Sequence, residues 1–128
     1  MRTLTTILLL CLPMAVMGET FFCTSTVATA MNDNGVVNSD LPVQSWIVDS
    51  SRGLRVPELD GVAKDYIGEC EIKRALVAVQ VWCTAKAGIL SQKNHIEVNK
   101  RINEDISFMA SKFGAAYNLS FFGKCTEI

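Results

Sequence analysis

The sequence predicts a mainly β fold, a small antiparallel barrel or sandwich held by two disulfides. Short runs rich in Val, Ile, Thr and Phe alternate with turn-forming Gly, Asn, Pro and Ser along the 128-residue chain, a pattern typical of strands. An apolar N-terminal segment indicates export, and four cysteines follow it. An even number of cysteines in an exported chain favours disulfides over free thiols.

Residues 1–18 have the pattern of a secretory signal peptide. A single positive charge at Arg2 precedes an almost wholly apolar stretch at 7–17, and the small Gly18 offers a cleavage site. A retained membrane anchor is the alternative, but Glu19 ends the apolar run before the about 18 to 20 residues that a span requires. Cys11 is expected to leave with the signal peptide.

The mature chain, residues 19–128, has the length of one domain. It carries 11 basic and 13 acidic side chains, a formal charge of −2. This balance argues against a nucleic-acid binder, which would show a basic excess or a basic stripe. No stretch after residue 19 is long and apolar enough to cross a bilayer, so we expect no stable membrane insertion after the signal is removed.

Four mature cysteines allow three pairings, and the sequence alone does not choose among them. We favour Cys70 with Cys83, which closes a local loop, and Cys23 with Cys125, which ties the two chain ends. Zinc is excluded because its ligands usually come in close pairs, and no two mature cysteines lie closer than 13 positions.

The first half of the mature chain contains the patterns of three strands, the first two of them joined as a hairpin. Thr20 to Met31 is rich in Thr, Val and Phe and is predicted to be a strand. NDNG at 32–35 predicts a hairpin turn, with the return strand beginning at Val36. VQSWIVD at 43–49 predicts a short strand, and SSRG at 50–53 a further turn. The following segment around Pro57 is too broken by turn residues to assign.

The most apolar mature segment, ALVAVQVWCTA at 75–85, predicts a central strand. Val77, Val79, Val81 and Cys83 fall on one face, and the other face is also apolar apart from Gln80. A buried helix is the alternative, but β-branched residues at alternate positions favour the strand. A loop is predicted from Ala87 to Asn94.

Residues 96–113 allow two interpretations. Apolar residues recur at steps of three or four, and Gly114 follows as a stop signal, which predicts an amphipathic helix. HIEVN and DISFMAS as two strands joined by a polar turn are the competing interpretation, and periodicity does not decide between them. AAYNLSFFGKC at 115–125 alternates cleanly and predicts a last strand ending at Gly123.

No catalytic constellation is evident, and we predict no catalytic, cofactor-binding or metal-binding residues. His95 is the only histidine, and it lies in a polar stretch without a glycine-flanked serine elsewhere to act as a nucleophile. We interpret the carboxylate pairs at 69 and 71 and at 104 and 105 as charges on solvated faces and in turns. The cations are interpreted as ordinary solubility charges, namely Lys93, Lys100, Arg101 and Lys112.

Aromatic residues concentrate at the two ends of the mature chain. We expect them to pack around a Cys23–Cys125 bridge rather than to form a ligand-binding cluster. The residues concerned are Phe21, Phe22, Tyr117, Phe121 and Phe122.

These ends resemble those of a loose group of small uncharacterised exported bacterial proteins. Such proteins begin with an F-x-C element and finish with an aromatic-G-x-C-[TE]-hydrophobic tail. The matching residues here are Phe21, Cys23, Phe122, Gly123, Cys125, Thr126 and Ile128. The resemblance covers only the ends and implies no particular activity.

A second resemblance is architectural. Periplasmic inhibitors of c-type lysozyme are small β-barrels in which a disulfide joins an early strand to the C-terminus, which is similar to the pairing favoured for Cys23 and Cys125. This chain departs from them because it lacks their S-G-x-x-Y loop, which DYIG at 65–68 does not replace.

The sequence therefore predicts an exported non-enzymatic protein, periplasmic or secreted, that binds a protein or a small ligand. The alternative is an inhibitor of a hydrolase such as lysozyme, with its inhibitory loop in the polar region from Ser50 to Gly68. A small secreted hydrolase is the second alternative.

Overall fold

The computed structural model describes residues 19–32, 35–38, 41–58, 61–87, 92–114 and 118–128. All regular structure in these ranges is β-strand, and the two predicted disulfides are present. The strands form one antiparallel sheet that curls into a nearly closed barrel. The mainly β class is confirmed, and of the two predicted architectures the barrel is the one observed.

Eleven strands are described. In chain order they are β1 (Thr20–Asn32), β2 (Gly35–Asn38), β3 (Ser45–Asp49), β4 (Gly53–Arg55), β5 (Pro57–Glu58), β6 (Gly61–Val62), β7 (Glu69–Arg74), β8 (Ala78–Ala87), β9 (Gln92–Arg101), β10 (Ile106–Phe113) and β11 (Asn118–Glu127).

The barrel sheet has the spatial order β4-β3-β1-β11-β10-β9-β8-β7, with β2 paired to β1, and β5 and β6 form a separate two-stranded sheet. The two ends of this order meet through a bridge between Leu54 and Ile67. The amide of Leu54 donates to the Ile67 carbonyl at 2.8 Å, and that of Ile67 donates back at 2.7 Å. Gly53 makes this approach feasible, because a Cβ there would lie 2.4 Å from the Ile67 carbonyl oxygen.

Alternate residues of the long strands point into the barrel and form its core. Trp46 lies at the centre of an aromatic cluster, with its ring centroid 5.3 Å from that of Phe108 and 5.0 Å from that of Phe121. Burial of these large side chains supplies the main driving force for folding. The other fully buried large side chains are Phe21, Leu54, Ile96, Val48, Val81 and Val98.

Both disulfides join residues that face each other on neighbouring antiparallel strands. Cys23 of β1 is opposite Cys125 of β11, and Cys70 of β7 is opposite Cys83 of β8. The Cα atoms of each pair are 4.0 Å apart. The pairing favoured on chain-end and local-loop grounds is therefore the one observed, and it indicates an oxidising, extracellular-type compartment.

Several predicted elements are confirmed. The first strand extends one residue beyond the predicted Thr20 to Met31, and the register of Asn32 opposite Gly35 is that of the predicted hairpin. The third strand occupies 45–49 within the predicted 43–49, and a turn follows at 50–52 as expected. The turn residues 33 and 34 lie outside the described ranges.

The helix predicted as one alternative for 96–113 is wrong, because β9 and β10 pair as a hairpin across this segment. The apolar steps of three and four arise because a polar turn at 102–105 separates two strands that each alternate. Ile96 and Val98 point inward from β9, as Phe108 does from β10. Asn103 adopts a left-handed φ of 63° in the turn, a conformation that asparagine tolerates well.

The predicted central strand is confirmed but begins later than its apolar run. β8 starts at Ala78 and lies between β7 and β9, whereas Leu76 and Val77 form an exposed turn. The loop predicted up to Asn94 is wrong at its end, because β9 begins at Gln92; residues 88–91 lie outside the described ranges. β7 was not predicted, since four of its six residues are charged.

The aromatic residues at the chain ends divide between the two faces of the barrel. Phe21 and Phe121 are buried, as expected, but Phe22 and Phe122 point outward and are about two-fifths exposed. Strand alternation causes the difference, because adjacent residues in a strand face opposite sides. The last strand also continues past the predicted stop at Gly123, since Lys124 to Glu127 still pair with β1. Tyr117 lies outside the described ranges.

Residues 1–18, with the predicted signal peptide and Cys11, also lie outside the described ranges. Within those ranges no helix is long and apolar enough to cross a membrane.

Candidate functional site

One end of the barrel is less completely filled than the rest. At the end where β10 terminates and β9 begins, the inward residues of five strands form one layer, which we call the upper layer. Two of its members are small and two are polar, in contrast to the large apolar groups beneath them. The upper layer consists, in register, of Ala85, Asn94, Lys112, Leu119 and Ala30.

A cavity of about 570 Å³ lies between two members of this layer, Asn94 and Lys112, and the described residues of two stretches, 56–58 and 63–67. The Leu54–Ile67 bridge holds the second of these stretches to β4. A volume of this size is within the range of small-molecule sites. The lining residues are Val56, Pro57, Glu58, Ala63, Lys64, Asp65, Ile67, Gln92, Asn94 and Lys112.

Asn94 is the buried polar residue of this cavity. It is 4% exposed, and its strand position places it inward with Ile96 and Val98. Its Nδ2 donates to the Gln92 carbonyl oxygen at 3.2 Å, whereas its Oδ1 has no hydrogen-bond partner among the described residues. An unsatisfied buried acceptor costs roughly 1 to 3 kcal/mol. A donor supplied from the cavity would remove this cost.

Lys112 is the inward-facing cation of the cavity. It follows Phe108 and Ala110 on the inner face of β10, and its Nζ lies 5.9 Å from the ring centroid of Phe121. Burial lowers the pKa of Lys112. None of the four ion pairs in the described part of the chain includes this residue. The cavity therefore offers a positive group whose charge no described carboxylate neutralises by direct contact.

The mouth of the cavity carries charges of both signs. Glu58, Lys64 and Asp65 are exposed and line the cavity together with Lys112. Apolar surface is supplied by Val56 and Ile67. The site thus combines a polar floor, apolar walls and a mixed-charge rim.

His95 lies on the outer face of the barrel, away from this cavity. In register it faces Thr84 and Ser111, and it borders a separate cavity of about 470 Å³ together with Glu69 and Glu97. No hydrogen bond connects its ring to a serine among the described residues. That part of the chain also contains no cluster of three His, Cys, Asp or Glu residues able to hold a metal ion.

The carboxylate pairs do not converge on a common site. Glu104 and Asp105 are exposed next to the β9–β10 turn, where Asp105 accepts a hydrogen bond from Lys124 at 2.8 Å. Glu69 and Glu71 point outward from β7 and are exposed. These positions agree with the interpretation as turn and surface charges.

The interpretation of Lys112 as an ordinary solubility charge is wrong, because the residue points into the barrel. A signal was present in the sequence: in the two-strand interpretation of 96–113, Phe108, Ala110 and Lys112 share one face. Lys100 is also more than a solvated surface charge, since its Nζ forms an ion pair with Glu127 at 2.5 Å. No feature of the sequence indicated that the Asn94 side chain points inward, because the residue was assigned to a loop.

The polar region from Ser50 to Gly68 has a structural role in its described part. It contains β4, the bridge to Ile67 and the small β5–β6 hairpin. The guanidinium carbon of Arg52 lies over the Tyr66 ring, 4.3 Å from the ring centroid. Arg55 Nε donates a hydrogen bond to the Ala63 carbonyl oxygen at 2.5 Å. These contacts hold the segment over the cavity.

Comparison of the chain with protein-family models, with curated proteins and with solved structures finds no match. The two resemblances drawn from the sequence therefore stay predictions.

Proposed function

We propose that the protein is an exported, non-enzymatic binding protein, periplasmic or secreted, and that the cavity at the open end of the barrel holds a small ligand. The observation that supports this most is that a buried amide with an unsatisfied oxygen and an inward-facing lysine line the same cavity. Natural cores rarely leave such groups buried without a use for them. The disulfides support export.

A hydrolytic function has less support. His95 lies on the outer face, and the carboxylates considered for catalysis are exposed and apart. Inhibition of a hydrolase such as lysozyme also has less support, since the described part of 50–68 is tied back to the barrel by the Leu54–Ile67 bridge. Lysozyme that keeps full activity in excess purified protein would remove the inhibitor alternative.

The binding function can be tested with the mature, oxidised protein and a concentrated small-molecule extract of the culture fluid. We expect the extract to shift the NMR amide signals of cavity residues such as Ala63 and Asn94. An Ala63→Trp variant, which places an indole in the cavity, should lose these shifts. Thr84→Trp, which adds the same group to the outer face, should keep them.

An extract that leaves the cavity signals unchanged, or that shifts only signals on the outer face, would contradict the proposal. Folding of both variants is checked by the dispersion of their amide spectra.

A further inference from the structure

The polar groups of the cavity restrict the chemistry of the ligand. Lys112 contributes hydrogen-bond donors and a positive charge, and a carboxylate is a natural partner for such a group. Asn94 contributes an acceptor, because its Nδ2 is already used on the Gln92 carbonyl while Oδ1 is unsatisfied. A ligand that satisfies both residues must therefore carry an anionic acceptor and a separate hydrogen-bond donor.

The register of the strands places the cation and the unsatisfied acceptor side by side. Asn94 and Lys112 are directly opposite on β9 and β10, and side chains in such positions start about 4.5 to 5.5 Å apart at Cβ. The anionic group and the donor of the ligand must therefore be close neighbours in its covalent structure.

The remaining lining residues restrict the ligand further. Val56 and Ile67 offer contacts to an apolar substituent. At the rim, two carboxylates, Glu58 and Asp65, outnumber the one described cation, Lys64. This balance disfavours a ligand with several negative charges, such as a phosphate ester, and favours one that also carries an ammonium group. A single carboxylate fits this charge distribution better than a phosphate does.

We propose that the cavity binds a small organic carboxylate with a hydrogen-bond donor on the adjacent carbon, as in an α-amino acid or an α-hydroxy acid. The carboxylate accepts from Lys112 Nζ, and the adjacent ammonium or hydroxyl group donates to Asn94 Oδ1. The substituent of the α-carbon contacts Val56 and Ile67. This inference rests on the proposed binding function and names the class of ligand for the same cavity.

Four compounds that share an isobutyl group or its α-substituted form test the inference on the mature, oxidised protein. L-valine and α-hydroxyisovalerate carry both groups, isovalerate lacks the donor, and isobutylamine lacks the carboxylate. We expect valine, α-hydroxyisovalerate or both to shift the amide signals of Asn94 and Lys112 in NMR titrations. Isovalerate should bind about tenfold more weakly, because it leaves Oδ1 unsatisfied. Isobutylamine should leave these signals unchanged.

Two variants separate the roles of the two residues. Lys112→Met should weaken binding of the preferred compound about tenfold or more, whereas Lys93→Met, on the outer face of β9, should not change it. Asn94→Ala should remove the preference for that compound over isovalerate. If Asn94→Ala fails to fold, the comparison of the four compounds on the unmodified protein still decides whether binding needs both the carboxylate and the adjacent donor.

Isovalerate that binds as tightly as valine and α-hydroxyisovalerate would overturn the assignment of Asn94. Cavity signals that respond to the culture extract but to none of the four compounds would overturn the ligand class and leave the binding function standing. Signals that respond to neither would overturn both.

Discussion

Asp49 shows how a single buried charge can organise a turn. Its side chain is almost completely buried, and its carboxylate accepts hydrogen bonds from Thr20 Oγ1, from Ser51 N and Oγ, and from Arg52 N, Nε and Nη2. Burial alone would raise the pKa of Asp49, but the hydrogen bonds from Ser51, Thr20 and Arg52 outweigh it and hold this pKa well below its usual range. The turn so fixed leads into Gly53, where the barrel closes.

A pH dependence follows from this depressed pKa. The folded pKa of Asp49 lies below its unfolded value of about 3.9, so its stabilising contribution is complete above that pH and is lost as the pH falls below it. At about pH 6 we expect Asp49→Asn to lower the free energy of unfolding by about 2 kcal/mol. The difference from the unmodified protein should shrink towards about pH 3. Urea denaturation of both proteins at a series of pH values measures this difference in the free energy of unfolding.

Asp105 provides the matched control for this experiment. It is exposed and forms a surface pair with Lys124, so Asp105→Asn should change stability far less than Asp49→Asn does. A stability difference for Asp49→Asn that stays constant from about pH 6 to about pH 3 would contradict the argument from its pKa.

At the scale of the strands, side-chain alternation decided how far the sequence could be interpreted. Where β-branched and aromatic residues alternate and a clear turn follows, as at 20–35, the strand and its hairpin could be predicted. β7 could not be predicted, because its charged residues face solvent and only Cys70 and Ile72 point inward. The 96–113 segment stayed ambiguous because a strand pair with a short turn can imitate helical spacing.

The candidate site was harder to predict for a physical reason. It depends on Asn94 and Lys112 becoming opposite neighbours, and that register is set by the pairing of β9 with β10 and not by local composition. It depends also on residues 56–58 and 63–67 lying beside Asn94 and Lys112, which follows from a bridge between residues 13 positions apart, Leu54 and Ile67. Local patterns carry little information about either contact.

The adjacent residues Phe121 and Phe122 allow alternation in β11 to be tested. Phe121 is 2% exposed and packs against Trp46, whereas Phe122 is 42% exposed on the outer face. We expect Phe121→Ala to lower the free energy of unfolding by about 3 to 5 kcal/mol, because it leaves a cavity in the core. Phe122→Ala should cost less than about 1 kcal/mol. Chemical denaturation of the two variants provides the comparison, and equal losses would contradict the assignment of faces.

At the scale of the whole molecule, the two ends of the barrel differ in kind. The end opposite the cavity is filled by Phe21 and Val48, and ion pairs lie around it, Lys100 with Glu127 and Arg74 with Glu19. The open end keeps polar groups and empty volume.

The two disulfides contribute differently to stability because they close loops of different length. Cys23–Cys125 spans 102 positions and Cys70–Cys83 spans 13. In the chain-entropy model, a longer loop removes more freedom from the unfolded chain, so the first bridge should stabilise by about 2 kcal/mol more than the second. The long bridge also joins the first and last strands of the chain, β1 and β11.

Paired Cys→Ala variants test this difference directly. We expect the variant without Cys23 and Cys125 to lose about 4 to 5 kcal/mol of unfolding free energy, and the one without Cys70 and Cys83 about 3 kcal/mol. The packing changes are matched, because each bridge joins a fully buried cysteine to a half-buried one. Urea denaturation should also give a larger m-value for the first variant, since its unfolded chain is freer to expand. Equal losses would mean that strain or local packing, and not loop length, sets the contribution of each bridge.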